Sequence, residues 1–260
     1  MRSAACRGFC ALRLFFRSDE WKWKRSIVMR YLLIPLLIFA FLTPLMPSSA
    51  SGDTARSDRA RIEAATAVMH DIMSIRDNSI PQGMLKDAYG IAVFPGVLKA
   101  AFIIGARYGQ GIFVTRDAHG NWSNPSFLTL AGGNFGFQAG AESTDLILVF
   151  MTKNSVESLG NGDLTLGATV SVAAGPVGRA AQASTDVKLK AEIYSYSKTR
   201  GLFAGIALDG TVVRVDTDAN YAYYGVRDPL KTAAARVPAD AKRFSCVVAQ
   251  YTGEPNKVCS

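Results

Sequence analysis

The imidazoles and thiols beyond residue 50 are His70, His119, Cys246 and Cys259. Neither histidine belongs to a catalytic or zinc-binding pattern, since the chain has no G-x-S-x-G, H-E-x-x-H or C-x-x-C. His70 falls in a helical segment and His119 in a turn, where structural roles suffice. "DTDAN" (216–220) opens like a calcium loop, but Tyr221 stands where the loop needs glycine and Arg227 where it needs a bidentate glutamate. "AGGNFGFQAGAESTDLILVF" (131–150) is the other candidate, because glycine-rich turns cradle phosphates. Its glycines at 132, 133, 136 and 140 miss the G-x-G-x-x-G spacing, and no G-x-x-x-x-G-K-[ST] exists. Read with a period of two, Gly136, Gln138, Gly140 and Glu142 face one side of a strand, opposite Phe135, Phe137, Ala139 and Ala141. Such glycines permit close approach of another backbone or a sharp bend. The expectation is architecture and no enzyme, with no cofactor and no metal.

Charge adds little once it is divided along the chain. Residues 1–50 hold eight Lys/Arg against Asp19 and Glu20, a net of +6, whereas residues 51–260 hold 21 basic and 19 acidic groups. The sequence pI near 9.4 therefore reflects the leader and gives no reason to expect nucleic acid. Lys22, Lys24, Arg25 and Arg30 precede the apolar run 31–46, and "PSSAS" follows with small Ser48 and Ala50. This is the pattern of a signal peptide cleaved after Ala50, with Met29 as an alternative start. Pro35 and Pro44 interrupt the run, which is shorter than the roughly 20 residues of a membrane span. The expected location is the periplasm, the cell envelope or outside the cell. Cys6 and Cys10 would leave with the leader. In an oxidising compartment the remaining Cys246 and Cys259 are expected to form a disulfide, as no nearby histidine supports a metal pair.

The elements that must carry any site follow from periodicity. In 54–77, Ile62, Ala65, Met69, Ile72 and Met73 fall on one helical face, and a second short helix is expected from Pro81 to Gly90. Strands are expected at 99–108 and 111–117 joined through Gly109-Gln110, at 145–151, 163–175, 187–198, 202–208 and 211–216. "DAHGN" (117–121) and "LDGT" (208–211) read as hairpin turns, and 154–160 as a short helix with an Asn cap and a glycine stop. The tail from Asp228 is less patterned. The expected organisation is a leader (1–50), one domain (54–227) and a C-terminal extension (228–260) holding the disulfide. The expected fold is α+β, with N-terminal amphipathic helices packed on a mostly antiparallel, glycine-rich, strongly bent β-sheet.

Five segments, "YGIAVFPGVLKAAFIIGARYGQGIFV", "GNWSNPSFLTLAGGNFGFQAGAESTDLILVF", "LTLGATVSVAAGPVGRAAQAS", "AEIYSYSKTRGLFAGIALDGTVV" and "DANYAYYG", together resemble the SYLF domain over about residues 89–225. The resemblance implies a lipid-binding module. Eukaryotic members bind phosphoinositides, fungal members also bind and bundle actin, and bacterial members are typically exported envelope proteins. Eukaryotic members enter membranes through an amphipathic segment at the extreme N-terminus, where this chain has its leader. The implied partner is therefore anionic phospholipid or a membrane surface. The alternative is an envelope protein partner, for which the domain would be a scaffold.

One strand suggests where lipid would dock. In 187–198, alternation puts Lys188, Lys190, Tyr194, Tyr196 and Lys198 on one face, with Arg200 in the following turn. Lysines attract phosphate as point charges, and tyrosines suit the headgroup region. The same pattern fits an ordinary exposed strand, and Glu192 interrupts its basic stripe. Arg179, in the turn "AGPVGRAA", is a second candidate because the turn's amides could form an anion nest.

Overall fold

The computed structural model describes residues 51–75, 79–101, 104–135, 140–177, 190–199, 202–230, 236–253 and Cys259. The leader and its expected cleavage site, Arg179, Lys188 and Arg200 lie outside these residues.

The first helix, α1 (Ser51–Met73), buries the expected stripe: Ile62, Ala65, Met69 and Ile72 are inaccessible, while Arg59 and Glu63 face solvent. Each such apolar side chain larger than alanine contributes about 1.5–3 kcal/mol when buried. α2 (Gln82–Asp87) follows with Pro81 at its N-cap, and it ends at Ala88, because Gly90 already begins a strand. Strands β1 (Gly90–Ala101), β2 (Ile104–Thr115), β3 (Ser126–Phe135) and β4 (Gly140–Phe150) form an antiparallel series. Helix α3 (Lys153–Asn161) comes next, then β5 (Leu164–Thr165), β6 (Val172–Ala174), β7 (Ile193–Thr199), β8 (Leu202–Gly205) and β9 (Thr211–Val215). Helices α4 (Thr217–Tyr224) and α5 (Ala239–Thr252) end the series.

The strand order is β5-β9-β3-β2-β1-β4-β7-β6, with β8 on β7, and the β6–β7 pair is the parallel exception. β5 and β6 sit at opposite edges, yet only residues 166–171 separate them in sequence. Eight strands laid flat would be about 34 Å across, whereas this link reaches at most about 25 Å. The sheet must curl, and it does so into a half-barrel. A β-bulge at Pro95-Gly96 assists: β1 loses register with both neighbours there, Gly96 takes φ +59, and its N–H donates to Asp145 Oδ1 at 2.9 Å. A bulge bends and twists its strand, and it is also where a central strand tolerates proline.

Both faces of the sheet are covered. The inner face holds Phe94, Phe113, Leu130, Leu148 and Ile193, packed with Leu159 of α3 and Leu164 of β5. The outer face holds Val93, Ile112, Phe127, Ile147 and Val149, packed with α1, α2, α4 and α5. Trp122 Nε1 donates to Thr252 Oγ1 at 3.1 Å in this layer. Arg61 of α1 reaches Asp216 at 3.4 Å, the residue whose side chain caps α4. Burial pushes the Asp58 carboxyl above its ordinary value although Arg61 lies 3.3 Å away.

Several expectations need correction. Gly109-Gln110 is no turn. Both residues lie inside β2, where a side chain at Gly109 would meet Val97 at 2.8 Å. "LDGT" does turn, with Gly210 at φ +73, but it joins strands that pair elsewhere. "DAHGN" does close β2 onto β3, through the Arg116–Trp122 bridge. The glycine-rich stretch spans the end of β3 and the start of β4 instead of forming one strand. Thr152, not Asn154, caps α3. Residues 163–175 form two short strands around a turn, and Lys190–Glu192 precede β7 without pairing in it. The tail carries a regular helix, and its Phe244, Val247 and Val248 belong to the outer core. Cys246 and Cys259 are joined, with their Cα atoms 5.6 Å apart.

Candidate functional site

The tyrosines expected to meet lipid are in the core. β7 pairs with β4 so that Tyr194 lies opposite Val149 and Tyr196 opposite Ile147, both outer-face core residues. Tyr194 is 5% exposed and Tyr196 fully buried. The Tyr196 ring stacks on Phe203 with centroids 5.5 Å apart, and its hydroxyl contacts Met84 Sδ at 3.2 Å. Burial, with a smaller effect of Tyr194, raises its pKa well above the ordinary phenol value. Lys198 is half-buried and pairs with Asp71 of α1 at 2.9 Å. The surface read from alternation is thus the seat of the helices, because β7 is covered on both faces. Lys190 alone, among the described residues of that set, is exposed.

Lys190 belongs to a different surface, the end of the sheet where β1 starts and β2 and β4 finish. The register aligns Gly90 with Thr115 and Phe150, and Phe150 with Ile193. Backbone bonds extend the alignment outward: Tyr89 N–H donates to Phe150 O at 2.8 Å, Arg116 N–H to Tyr89 O at 2.9 Å, and Met151 N–H to Glu192 O at 2.8 Å. Residues far apart in sequence therefore share one rim. A cavity of about 580 Å³ opens there, lined by Lys86, Tyr89, Arg116, Met151 and Lys153 among others. Lys153 Nζ lies 5.8 Å from the centroid of the partly exposed Tyr89 ring. The Arg116 guanidinium donates to the carbonyl of Lys86 in the last turn of α2.

Two carboxylates at this end of the sheet, Asp117 and Glu192, are engaged by the fold. Asp117 accepts from the amides of His119 and Asn121, both at 2.8 Å. Burial works against ionisation, but the bonds from Asn121 and His119 hold its pKa below the ordinary value. Glu192 accepts from Asn154 Nδ2 at 2.9 Å and Ser171 N at 3.0 Å; Asn154 foremost, then Ser171, lowers its pKa. Lys86, Lys153 and Lys190 are thus exposed at an end of the sheet where Asp117 and Glu192 serve the fold and Asp87 is an exposed carboxylate of the same lining. Strand alternation could not reveal this set. The available signal was positional: basic residues just outside strand ends that an antiparallel meander returns to the same side.

The histidines serve the fold or its surface. His70 Nδ1 lies 2.7 Å from Tyr251 Oη, linking α1 to α5, and His119 is exposed in its turn. No helix among the described residues is long and apolar enough to cross a membrane.

The curled sheet under its helices defines an α+β architecture. The chain belongs to the Ysc84, or SYLF, family: residues 131–250 match the family described as "Las17-binding protein actin regulator". It is 36% identical over 183 residues to LAS seventeen-binding protein 3 of Saccharomyces cerevisiae, covering 69% of this chain and 39% of that protein. It is 39% identical over 152 residues to Protein YSC84 of the same yeast, covering 57% and 32%. It is 38% identical over 149 residues to the human SH3 domain-containing YSC84-like protein 1, covering 57% and 43%. The chain thus spans less than half the length of each of these relatives.

Proposed function

We propose that this is an exported, non-enzymatic domain that associates peripherally with anionic lipid surfaces through the rim of Lys86, Lys153 and Lys190. The observation that carries the reading is that these three ammonium groups share one end of the sheet with the exposed ring of Tyr89, while neighbouring Asp117 and Glu192 are held by the fold. Ammonium groups near an anionic surface contribute about 1 kcal/mol each. An amphipathic ring beside them suits the headgroup layer. Export rests on the leader pattern of residues 31–50.

The test is sedimentation with vesicles of 30% phosphatidylglycerol in phosphatidylcholine. Binding is expected to weaken with salt, since surface attraction is screened over about 10 Å at 0.1 M. Lys86→Ala/Lys153→Ala/Lys190→Ala together should weaken it by about 3 kcal/mol, roughly a hundredfold. The melting temperature should hardly change, as ordinary surface substitutions fall within about ±0.5 kcal/mol. Unchanged binding in the triple variant would remove the rim from consideration.

A protein partner is the second reading, favoured by the relatives' names and by one surface. Leu98 and Tyr108 are directly paired on the outer face beside α1, and are 61% and 52% exposed. Co-sedimentation with filamentous actin, lost in Leu98→Lys/Tyr108→Lys, would support that reading over the lipid one.

A further inference from the structure

The opposite end of the half-barrel carries a second site. Beyond the bulge, Val97 remains in the inner core, so Lys99 also faces inward. Arg107 lies directly opposite Lys99 across the β1–β2 pair, and its own neighbour on β3 is Gly132, where a Cβ would meet Thr211 at 2.9 Å and the Arg107 stem at 3.3 Å. Val97, Lys99 and Arg107 line a cavity of about 210 Å³ together with the exposed Glu142, which pairs with Lys99 across β1–β4, and its floor includes Leu146 and Leu208, both members of the inner core. Its wall carries Thr144 and Thr199, whose hydroxyls are 2.9 Å apart. The guanidinium of Arg107 is the unusual feature: its Nη1 is buried and has no hydrogen-bond partner. Burial lowers its pKa from the ordinary arginine value. A buried N–H without a partner is costly, and a guanidinium fork matches an oxyanion.

We infer that this cavity binds a small amphiphile, an oxyanion held by Arg107 and Lys99 with a short apolar stem resting on Leu146 and Leu208. Its volume falls below the roughly 300–1,000 Å³ of sites that enclose a drug-sized molecule. The ligand is therefore a short free amphiphile, or the end of a longer lipid whose remainder stays outside. The site lies at the far end of β1 from the basic rim and does not depend on it.

The experiment is calorimetric titration of the mature-length domain with inorganic phosphate, butyl phosphate, hexyl phosphate and hexanol. Hexyl phosphate is expected to bind more tightly than phosphate, and hexanol not to bind. Arg107→Met, which keeps an unbranched apolar stem, should weaken hexyl phosphate by about 10- to 100-fold, the usual effect of losing a charged hydrogen bond. Equal affinity for phosphate and hexyl phosphate would overturn the amphiphile. Undiminished binding in a folded Arg107→Met protein would overturn the site. The chain-length series needs no variant, so the inference stays testable if Arg107→Met does not fold. Dodecyl phosphate distinguishes the sources: affinity that keeps rising beyond six carbons indicates a lipid end, and a plateau indicates a short soluble ligand. Lys86→Ala/Lys153→Ala/Lys190→Ala, which leaves the cavity untouched, should bind hexyl phosphate as the unaltered protein does, which separates failure here from failure of the rim.

Discussion

Replacing Tyr196 with serine separates two pictures of β7. On an exposed strand face the change would be nearly silent, within about ±0.5 kcal/mol. In the structure Tyr196 is completely buried between Phe203 and Met84. A buried aromatic ring hides roughly 150–250 Å², worth about 4–6 kcal/mol at about 25 cal/mol per Å². Measured truncations of large aromatic residues cost about 3–5 kcal/mol. A loss of about 4 kcal/mol is therefore expected. For a domain of this size that lowers the melting temperature by roughly 8–16 °C. Thermal denaturation followed by circular dichroism measures it, with Lys190→Ala as the exposed control. Tyr196→Phe keeps the ring and should cost about 1 kcal/mol or less, since its hydroxyl makes only a sulfur contact at 3.2 Å and a carbonyl contact at 3.5 Å. A Tyr196→Ser protein melting within 2 °C or so of the unaltered one, a loss of about 1 kcal/mol or less, would refute the burial of this face.

Two further outcomes can be checked on the same preparation. Reducing the Cys246–Cys259 bond, which spans a sequence separation of 13, should lower stability by about 3 kcal/mol in the chain-entropy model; denaturant melts with and without reductant measure it, and coincident curves would contradict the bond. Glu192 has a depressed pKa in the folded state, so its contribution is present above the unfolded carboxylate pKa of about 4.3 and is lost as pH falls through the lower folded value. Between pH 6 and pH 3 the unaltered protein should therefore lose more stability than Glu192→Gln, and parallel pH profiles would exclude that role.

The parts legible in the sequence are those where one physical rule acts alone. The stripe of Ile62, Ala65, Met69 and Ile72 has one buried face and reads as a helix directly. "DAHGN" turns because Asp117 satisfies two backbone amides of its own loop. Other parts depend on contacts that no local window contains. Gly109-Gln110 has the chemistry of a turn, yet the glycine is there because Val97 packs against it across the strand pair. Alternation in β7 failed for a related reason. Ile193 fills the inner core while Tyr194 and Tyr196 fill the outer one, and a strand covered on both faces has no solvent side to mark. Helix α5 carries a local signal of its own: Ala241, Phe244, Val247 and Val248 recur at helical spacing between Pro238 and Gly253.

The packing of α1 on α5 has a consequence for the order of events during synthesis. Ile62, Met69 and Ile72 share one core with Phe244 and Val248, so the first described helix depends on the last. At about 5–20 residues per second, ribosomes need roughly 10–40 s to extend the chain from one to the other. Throughout that interval the apolar stripe of α1 lacks part of its cover. The outer core therefore stays open until α5 has been made, and the stripe of α1 is available to chaperones in the interval. The same arrangement makes the final fourteen-residue helix the step that closes the fold.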